Sequence, residues 1–196
     1  LFPKMPKESR PHISVIIPSW NEEKYIARTL ESLLNQSLDR SEYEIIVVDG
    51  HSKDKTVKIA RKYADKIYLE NKGSIGYARN LGAKKARGEI VAFIDADSVA
   101  PKNWLMRIKK TFRNKKLVGL GGMAIPLNAR LRDHLGYFFV NYYMKGTSWA
   151  GFYQFIGFNC AYRRKNFLAA GGFDPDMKFA EDGDLSFRFR KQGKCK

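Results

Sequence analysis

Residues 89–97 read EIVAFIDAD, five consecutive apolar positions closed by two acids with one alanine between them. An unbroken apolar run of this length, rich in β-branched and aromatic residues, predicts a strand buried on both faces, here over 89–95. The same signature recurs upstream at 12–18 (HISVIIP), 43–49 (YEIIVVD) and, shorter, 66–69, and downstream at 117–120. Between these runs the spacing becomes helical. From Ile26 the apolar positions are Ile26, Leu30, Leu33 and Leu34, residues 54–63 and 76–86 behave likewise, and Pro101 stands where proline favours a helix start, ahead of Trp104, Leu105, Ile108 and Phe112. Strands alternating with helices up to about Gly122 predict an α/β fold, a mostly parallel sheet flanked by helices and built from right-handed βαβ units. Ligands of such sheets sit beyond the carboxyl ends of the strands, so Pro18, Asp49 and Asp95 are expected on one rim.

After Gly122 the rhythm changes. Residues 131–145 form an amphipathic helical pattern carrying Phe138, Phe139 and Tyr142, with Tyr143 and, further on, Trp149 beside it. Two readings fit: a segment at a membrane interface, or a core helix roofing a cleft. A strand over 154–162, a turn at Gly171–Gly172 and a helix from about Glu181 follow. The expected organisation is a basic arm at 1–11, a nucleotide-binding half at 12–122 and an acceptor-side half of the same domain at 123–196.

Composition narrows the function classes. With 44% hydrophobic and 29% charged residues over 196 positions, the chain is neither disordered nor a membrane bundle. Its longest apolar runs fall far short of the roughly 20 residues that cross a bilayer, and residues 1–10 lack the apolar stretch of a signal peptide. Two cysteines do not make a disulfide framework, which fits a reducing, cytoplasmic compartment. The abrupt ends read as those of a piece of a longer protein. The net charge of +16 favours anionic partners but selects none, because the cations are spread along the chain.

The acids carry the chemistry. In extended chain Asp95 and Asp97 point the same way, and two close carboxylates are costly without a cation beside them. Their hard oxygens suit Mg2+ or Mn2+ sharing its coordination with water and a diphosphate, although Asp97, followed by Ser98 and Pro101, equally suits a helix cap. Asp49 can meet a ribose or a base edge, while Asp54 is the expected cap of the next helix. Arg79 can pair with a diphosphate or form a plain salt bridge. Glu181 and Asp182 open a helix, where carboxylates answer the macrodipole.

Taken together, SVIIPSWNEEKYIARTLESLLNQS, EIIVVDGHSKDKT, GYARNLGAKKARGEIVAFIDADS and GGFDPDMKFAEDGDLSFR, in this order, resemble the family 2 glycosyltransferases across about residues 12–193. The resemblance implies a GT-A fold, with a Rossmann-like nucleotide-binding half and an acceptor-side half. It also implies an inverting, metal-dependent transfer from a UDP- or GDP-sugar to a glycan or lipid-linked acceptor. Pro18, Trp20 and Glu22 are then similar to the loop that meets the donor nucleoside, Asp49 to the acid at the base, and Arg79 to the arginine near the phosphates. Asp97 and Asp95 match the metal-binding D-x-D, with Asp95 nearer the ribose. Asp182 matches the base and Glu181 the neighbour that orients the site. Many relatives carry transmembrane helices after this domain, so a place at the inner face of the cell membrane is expected. Two other classes remain to be separated. A nucleotidyltransferase would show a glycine-rich loop after the first strand, which residues 18–22 lack. A basic module for anionic lipid or nucleic acid would rest on charge alone; no recognised nucleic-acid motif accompanies it, and nucleic acid is not expected as a partner.

Overall fold

The computed structural model of the chain describes residues 11–123, 125, 136, 138–139, 141–142, 145–146, 157–177, 181–189 and 191–196. Five strands follow in chain order, β1 (Ile13–Ser19), β2 (Tyr43–Asp49), β3 (Lys66–Leu69), β4 (Ile90–Ile94) and β5 (Leu117–Gly121), with β6 (Asn159–Arg163) and β7 (Lys194–Cys195) beyond. The helices are α1 (Ile26–Leu34), α2 (Thr56–Ala60), α3 (Ile75–Lys85), α4 (Trp104–Thr111), α5 (Arg164–Ala169) and α6 (Glu181–Phe189). All seven strands join one sheet in the order β3-β2-β1-β4-β6-β5-β7.

Alternating side chains of β1, β2 and β4 supply both faces of this sheet, which is why these strands are apolar without interruption. Ile13, Val15, Ile17, Ile45, Val47, Ile90 and Ala92 pack under α1 and α4 with Leu30, Leu33, Leu105 and Ile108. Ile16, Ile46, Val48, Val91 and Phe93 pack on the opposite side with α3, α5 and α6. There Phe93 meets Phe173 edge to face at 5.4 Å between centroids, and Tyr162 meets Phe189 at 4.8 Å. Each such pair contributes about 0.5–1.5 kcal/mol beyond its buried area.

Two helix expectations change, and β5 takes a place that the sequence left open. β5 runs in the parallel direction but does not lie beside β4. β6, from the second half of the chain, sits between them, antiparallel to both, with Phe93 opposite Cys160 and Leu120 opposite Ala161. The halves expected at 12–122 and 123–196 therefore share one sheet. The helix expected over 54–63 shrinks to Thr56–Ala60, because the Asp54 carboxylate takes the Thr56 N–H (2.9 Å) and the Glu23 N–H (3.0 Å), holding residues 54–55 in the loop. Pro101 does not open α4. Its carbonyl accepts from the Trp104 N–H (2.9 Å) and the Gln36 Nε2 (2.9 Å), and the helix begins three residues later.

The helix expected over 131–145 and Trp149 lie mostly outside the described residues. Of those described, Phe138, Phe139 and Tyr142 are helical and exposed. No helix among the described residues is long and apolar enough to cross a membrane.

Candidate active site

The rim is set by where β1 and β4 part. Their parallel pairing ends at Ile16 opposite Phe93, whereas β1 stays paired with β2 through Ser19 opposite Asp49. Pro18, buried and without an N–H to give a ladder, stands beyond the last β4 pair. Beyond it the β1–β2 side and β4 separate, at the switch point where open α/β sheets bind ligands.

The loops after β1 and β2 lock together above this opening. Asn21 N–H donates to Ser52 Oγ (2.7 Å), Lys53 N–H to Asn21 Oδ1 (2.9 Å), Glu22 N–H to Thr56 Oγ1 (2.7 Å) and Lys55 N–H to Glu23 Oε2 (3.0 Å). Asn21 and His51, at φ 55° and 61°, adopt the left-handed conformation that these side chains tolerate better than most. The interlock leaves Trp20 66% exposed at the mouth, beside Gly50.

Asp49 lies on the rim at the end of β2, as expected. It is fully buried, and its oxygens accept from Ser19 Oγ (2.9 Å), Ser52 N–H (2.7 Å) and Ser52 Oγ (2.6 Å). In this arrangement it organises the two loops. The buried acid next to it is one the sequence reading missed. Glu70, just past β3, accepts from Lys72 N–H (2.8 Å) and Gly73 N–H (3.1 Å) and borders Gly50. Its signal was its position at a strand end, weakened by the polar surroundings Asn71 and Lys72.

Asp95 and Asp97 do not sit in extended chain. β4 stops at Ile94 and residues 95–98 turn, the Ser98 N–H reaching the Asp95 carbonyl at 3.2 Å, while Thr29 Oγ1 pins the Ala96 carbonyl at 2.6 Å. Alternation along a strand therefore does not govern them: Asp95 is half-buried and turned inward, and Asp97 is exposed. Asp97 caps no helix either, since α4 has Asn103 at its N-cap. Both lie close enough to Glu22 to act on it. Burial raises the Glu22 carboxyl above the ordinary glutamate range, and the charges of Asp97, Asp95 and Asp54 raise it further. Burial likewise raises Asp95, opposed by Arg79 and assisted by Asp97 and Glu181.

Arg79 spans the site. Only 3% exposed, it donates from Nη2 to Asp95 (2.9 Å) and from Nη1 to Glu181 (3.0 Å) and stacks over Phe173 at 5.3 Å. Its buried Nε has no partner among the described residues. Of the two expectations for Arg79, the ion pair is the one formed here. Gly76 and Asn80, on the same face of α3, finish the seam. Asn80 exchanges hydrogen bonds with the Phe173 backbone (2.7 and 2.9 Å), and Gly172, at φ 72°, leaves no room for a Cβ against Asn80 Oδ1. The seam places α6, and with it Asp182, whose carboxylate accepts from Gly157 N–H (3.2 Å) and Gly183 N–H (2.8 Å). Cys160, buried and within the influence of Arg79, Asp182 and Asp95, is raised to about 12 by burial, which keeps its thiol protonated.

Among the described residues no three acid, imidazole or thiolate side chains already form a cation cage. The donor set still fits a hard divalent ion. Such an ion needs one or two carboxylates when a diphosphate and water complete its sphere, and the mutual repulsion of Glu22, Asp95 and Asp97 is what a cation would relieve.

A family model described as Glycosyl transferase family 2 matches residues 14–170. The chain is 42% identical over 98 residues to a poly(ribitol-phosphate) β-N-acetylglucosaminyltransferase, TarS, of Staphylococcus aureus, a match covering 47% of this chain and 17% of that protein. Among solved structures, TarS 1–349 in complex with UDP-GlcNAc superposes with a TM-score of 0.69 at 25% identity, over 91% of this chain and 53% of that one. A mannosyltransferase of Pyrobaculum calidifontis, in complex with GDP-Man and Mn2+, shares the fold with a TM-score of 0.73 at 22% identity, over 96% and 55%. The chain thus spans little more than half of these structures. The family match covers most of the chain and the solved structures share its fold, so the chain belongs to glycosyl transferase family 2, with the GT-A fold.

Proposed function

We propose that this chain carries the donor site and catalytic acids of an inverting glycosyltransferase, which moves a sugar from a UDP- or GDP-linked donor to a hydroxyl or phosphate of a glycan or lipid-linked acceptor. The observation that carries the reading is the Arg79 bridge. It ties Asp95, on the sheet rim, to Glu181, next to Asp182 on α6, so donor-side and acceptor-side acids share one opening. The similarity to a structure holding UDP-GlcNAc supports the donor class.

In this reading Trp20 at the mouth stacks on the nucleoside, and the locked loops around Asp49 and Glu22 shape its pocket. Asp97, with Asp95, would hold Mg2+ or Mn2+, which when bound offsets the charge on the diphosphate. Asp182 takes the proton from the acceptor O–H. The acceptor oxygen forms its bond to the anomeric carbon as the bond from that carbon to the diphosphate oxygen breaks on the opposite side, and the nucleoside diphosphate leaves with the electron pair. No general acid is needed, whereas hydrolysis of a sugar–sugar bond would require a flanking acid and base pair.

A thermal-shift screen of UDP- and GDP-sugars with and without Mn2+ tests the donor. One of them should stabilise the protein by about 1.4 kcal/mol at ten times its dissociation constant, and only with the metal. Turnover should release nucleoside diphosphate. Release of pyrophosphate would reassign the protein to nucleotidyl transfer, and indifference to every nucleotide sugar would remove the proposal.

A further inference from the structure

Residues 99–116 carry seven Lys or Arg and no acid. Most of this stretch is α4 and its flanks. Leu105, Ile108 and Phe112 face the core, which turns Met106, Arg107, Lys110 and Arg113 outward, all exposed. Lys109 alone is drawn aside, into an ion pair with Glu42. β7 widens the same surface from the other end of the sequence. Its Lys194 N–H reaches the Lys116 carbonyl (3.3 Å), and Cys195 packs in the cluster on the opposite face of the sheet. Alternation along the strand therefore sends Lys194 and Lys196 toward the α4 side. Among the described residues, Arg107, Lys110, Arg113, Lys116, Lys194 and Lys196 have no ion-pair partner.

An apolar tip lies at one end of this face, where α4 begins and β5 ends, with Arg107 one turn along the helix and the Lys196 carbonyl bonded to the Gly121 N–H (2.8 Å). At the start of α4, Trp104 Nε1 donates to Asn159 Oδ1 (3.0 Å), and Asn159 Nδ2 donates to the Met123 carbonyl (2.8 Å). Met123 and, two residues on, Ile125 are 69% and 78% exposed. A dissolved polyanion would answer the charges and leave these side chains in water. A bilayer with anionic headgroups answers both, charge at its surface and apolar side chains among its acyl chains. We propose that the α4–β7 face docks the protein on an anionic phospholipid bilayer, a contact that stands apart from the sugar-transfer reading.

Vesicle flotation tests it, with phosphatidylcholine alone and with phosphatidylglycerol added. The chain should bind only the anionic vesicles, and salt should release it. Each cation near such a surface is worth roughly fivefold in partition, so Lys110→Glu with Lys116→Glu should weaken binding by about 25-fold or more. Lys84→Glu with Lys165→Glu, an equal change of charge on the opposite face, should weaken it only a few-fold. Met123→Ser with Ile125→Ser should weaken vesicle binding and leave binding to soluble polyphosphate unchanged. Failure to bind anionic vesicles at low salt would overturn the proposal. So would equal losses from the two charge-reversed pairs. Vesicle binding unaffected by the two serines would point instead to a dissolved anionic polymer.

Discussion

The buried guanidinium of Arg79 pairs with the half-buried Asp95 at 2.9 Å, and its second arm holds Glu181 at 3.0 Å. One side chain thus links the turn that carries the D-x-D to the helix that bears the proposed base. Removing it by Arg79→Met strands two partly buried acids. A loss of about 3–5 kcal/mol is expected in urea unfolding. Arg79→Lys keeps the charge but cannot reach both acids as a planar fork does, so it should fold and turn over poorly.

Asp182→Asn keeps the size of the side chain and removes its capacity to take a proton. Turnover should fall by about 10²–10⁴-fold, while the dissociation constant of the nucleoside diphosphate, read by calorimetry, stays within a few-fold. Unchanged turnover would remove Asp182 from the base role.

Glu22 carries a raised carboxyl pKa because burial and the neighbouring acids disfavour its charge. A raised folded-state value for an acid means that stability declines as pH rises through it. Glu22→Gln should therefore raise the melting temperature of the ligand-free protein at neutral pH, by about 1–2 °C for a chain of this size. It should also weaken Mn2+ binding. Differential scanning calorimetry and a Mn2+ titration read the two effects.

Glu44 behaves oppositely. Its burial alone would raise the carboxyl, but Ser14 Oγ at 2.7 Å, the Arg87 N–H at 2.7 Å and the charge of Lys66 outweigh burial and hold it below its ordinary 4.5. Its contribution to stability is complete above that ordinary value and is lost as pH falls through the lower folded-state one. Glu44→Gln should flatten the acid limb of the stability–pH curve below about pH 4.5. An unchanged acid limb would show that the Glu44 pair adds nothing.

Gly82 is where α3 lies on the sheet. A Cβ there would stand 2.4 Å from Ile16 Cγ2 and 3.2 Å from Val48 Cγ2. Gly82→Ala should cost about 1–3 kcal/mol through overpacking, despite alanine's better helix propensity. Chemical denaturation measures it.

The strands from β1 to β4 and the long helices α1 and α3 were legible because burial on one stripe or on both faces writes itself into local periodicity. So were the acids at the strand ends. What sequence could not display is whatever depends on partners far away. β6 enters beside β4 through contacts such as Phe93 with Tyr162, 69 positions apart in the chain. Arg79 carries no sign of whether its fork meets a phosphate or two acids. Asp49 looks like any strand-end acid until Ser19 and Ser52 close around it. Glu70 went unnoticed because its neighbours are polar and its burial comes from the loops that fold over it.

The insertion of β6 between β4 and β5 has a consequence for how the chain is made. A ribosome that has released residues up to 122 has delivered every strand of the rim, yet the slot next to β4 is still vacant and Phe93 lacks its aromatic neighbours. Only when residues 159–163 emerge can the sheet close. The earlier segment must wait as an open, aggregation-prone edge, and a gene cut at residue 122 should yield inclusion bodies, not a nucleotide-binding module.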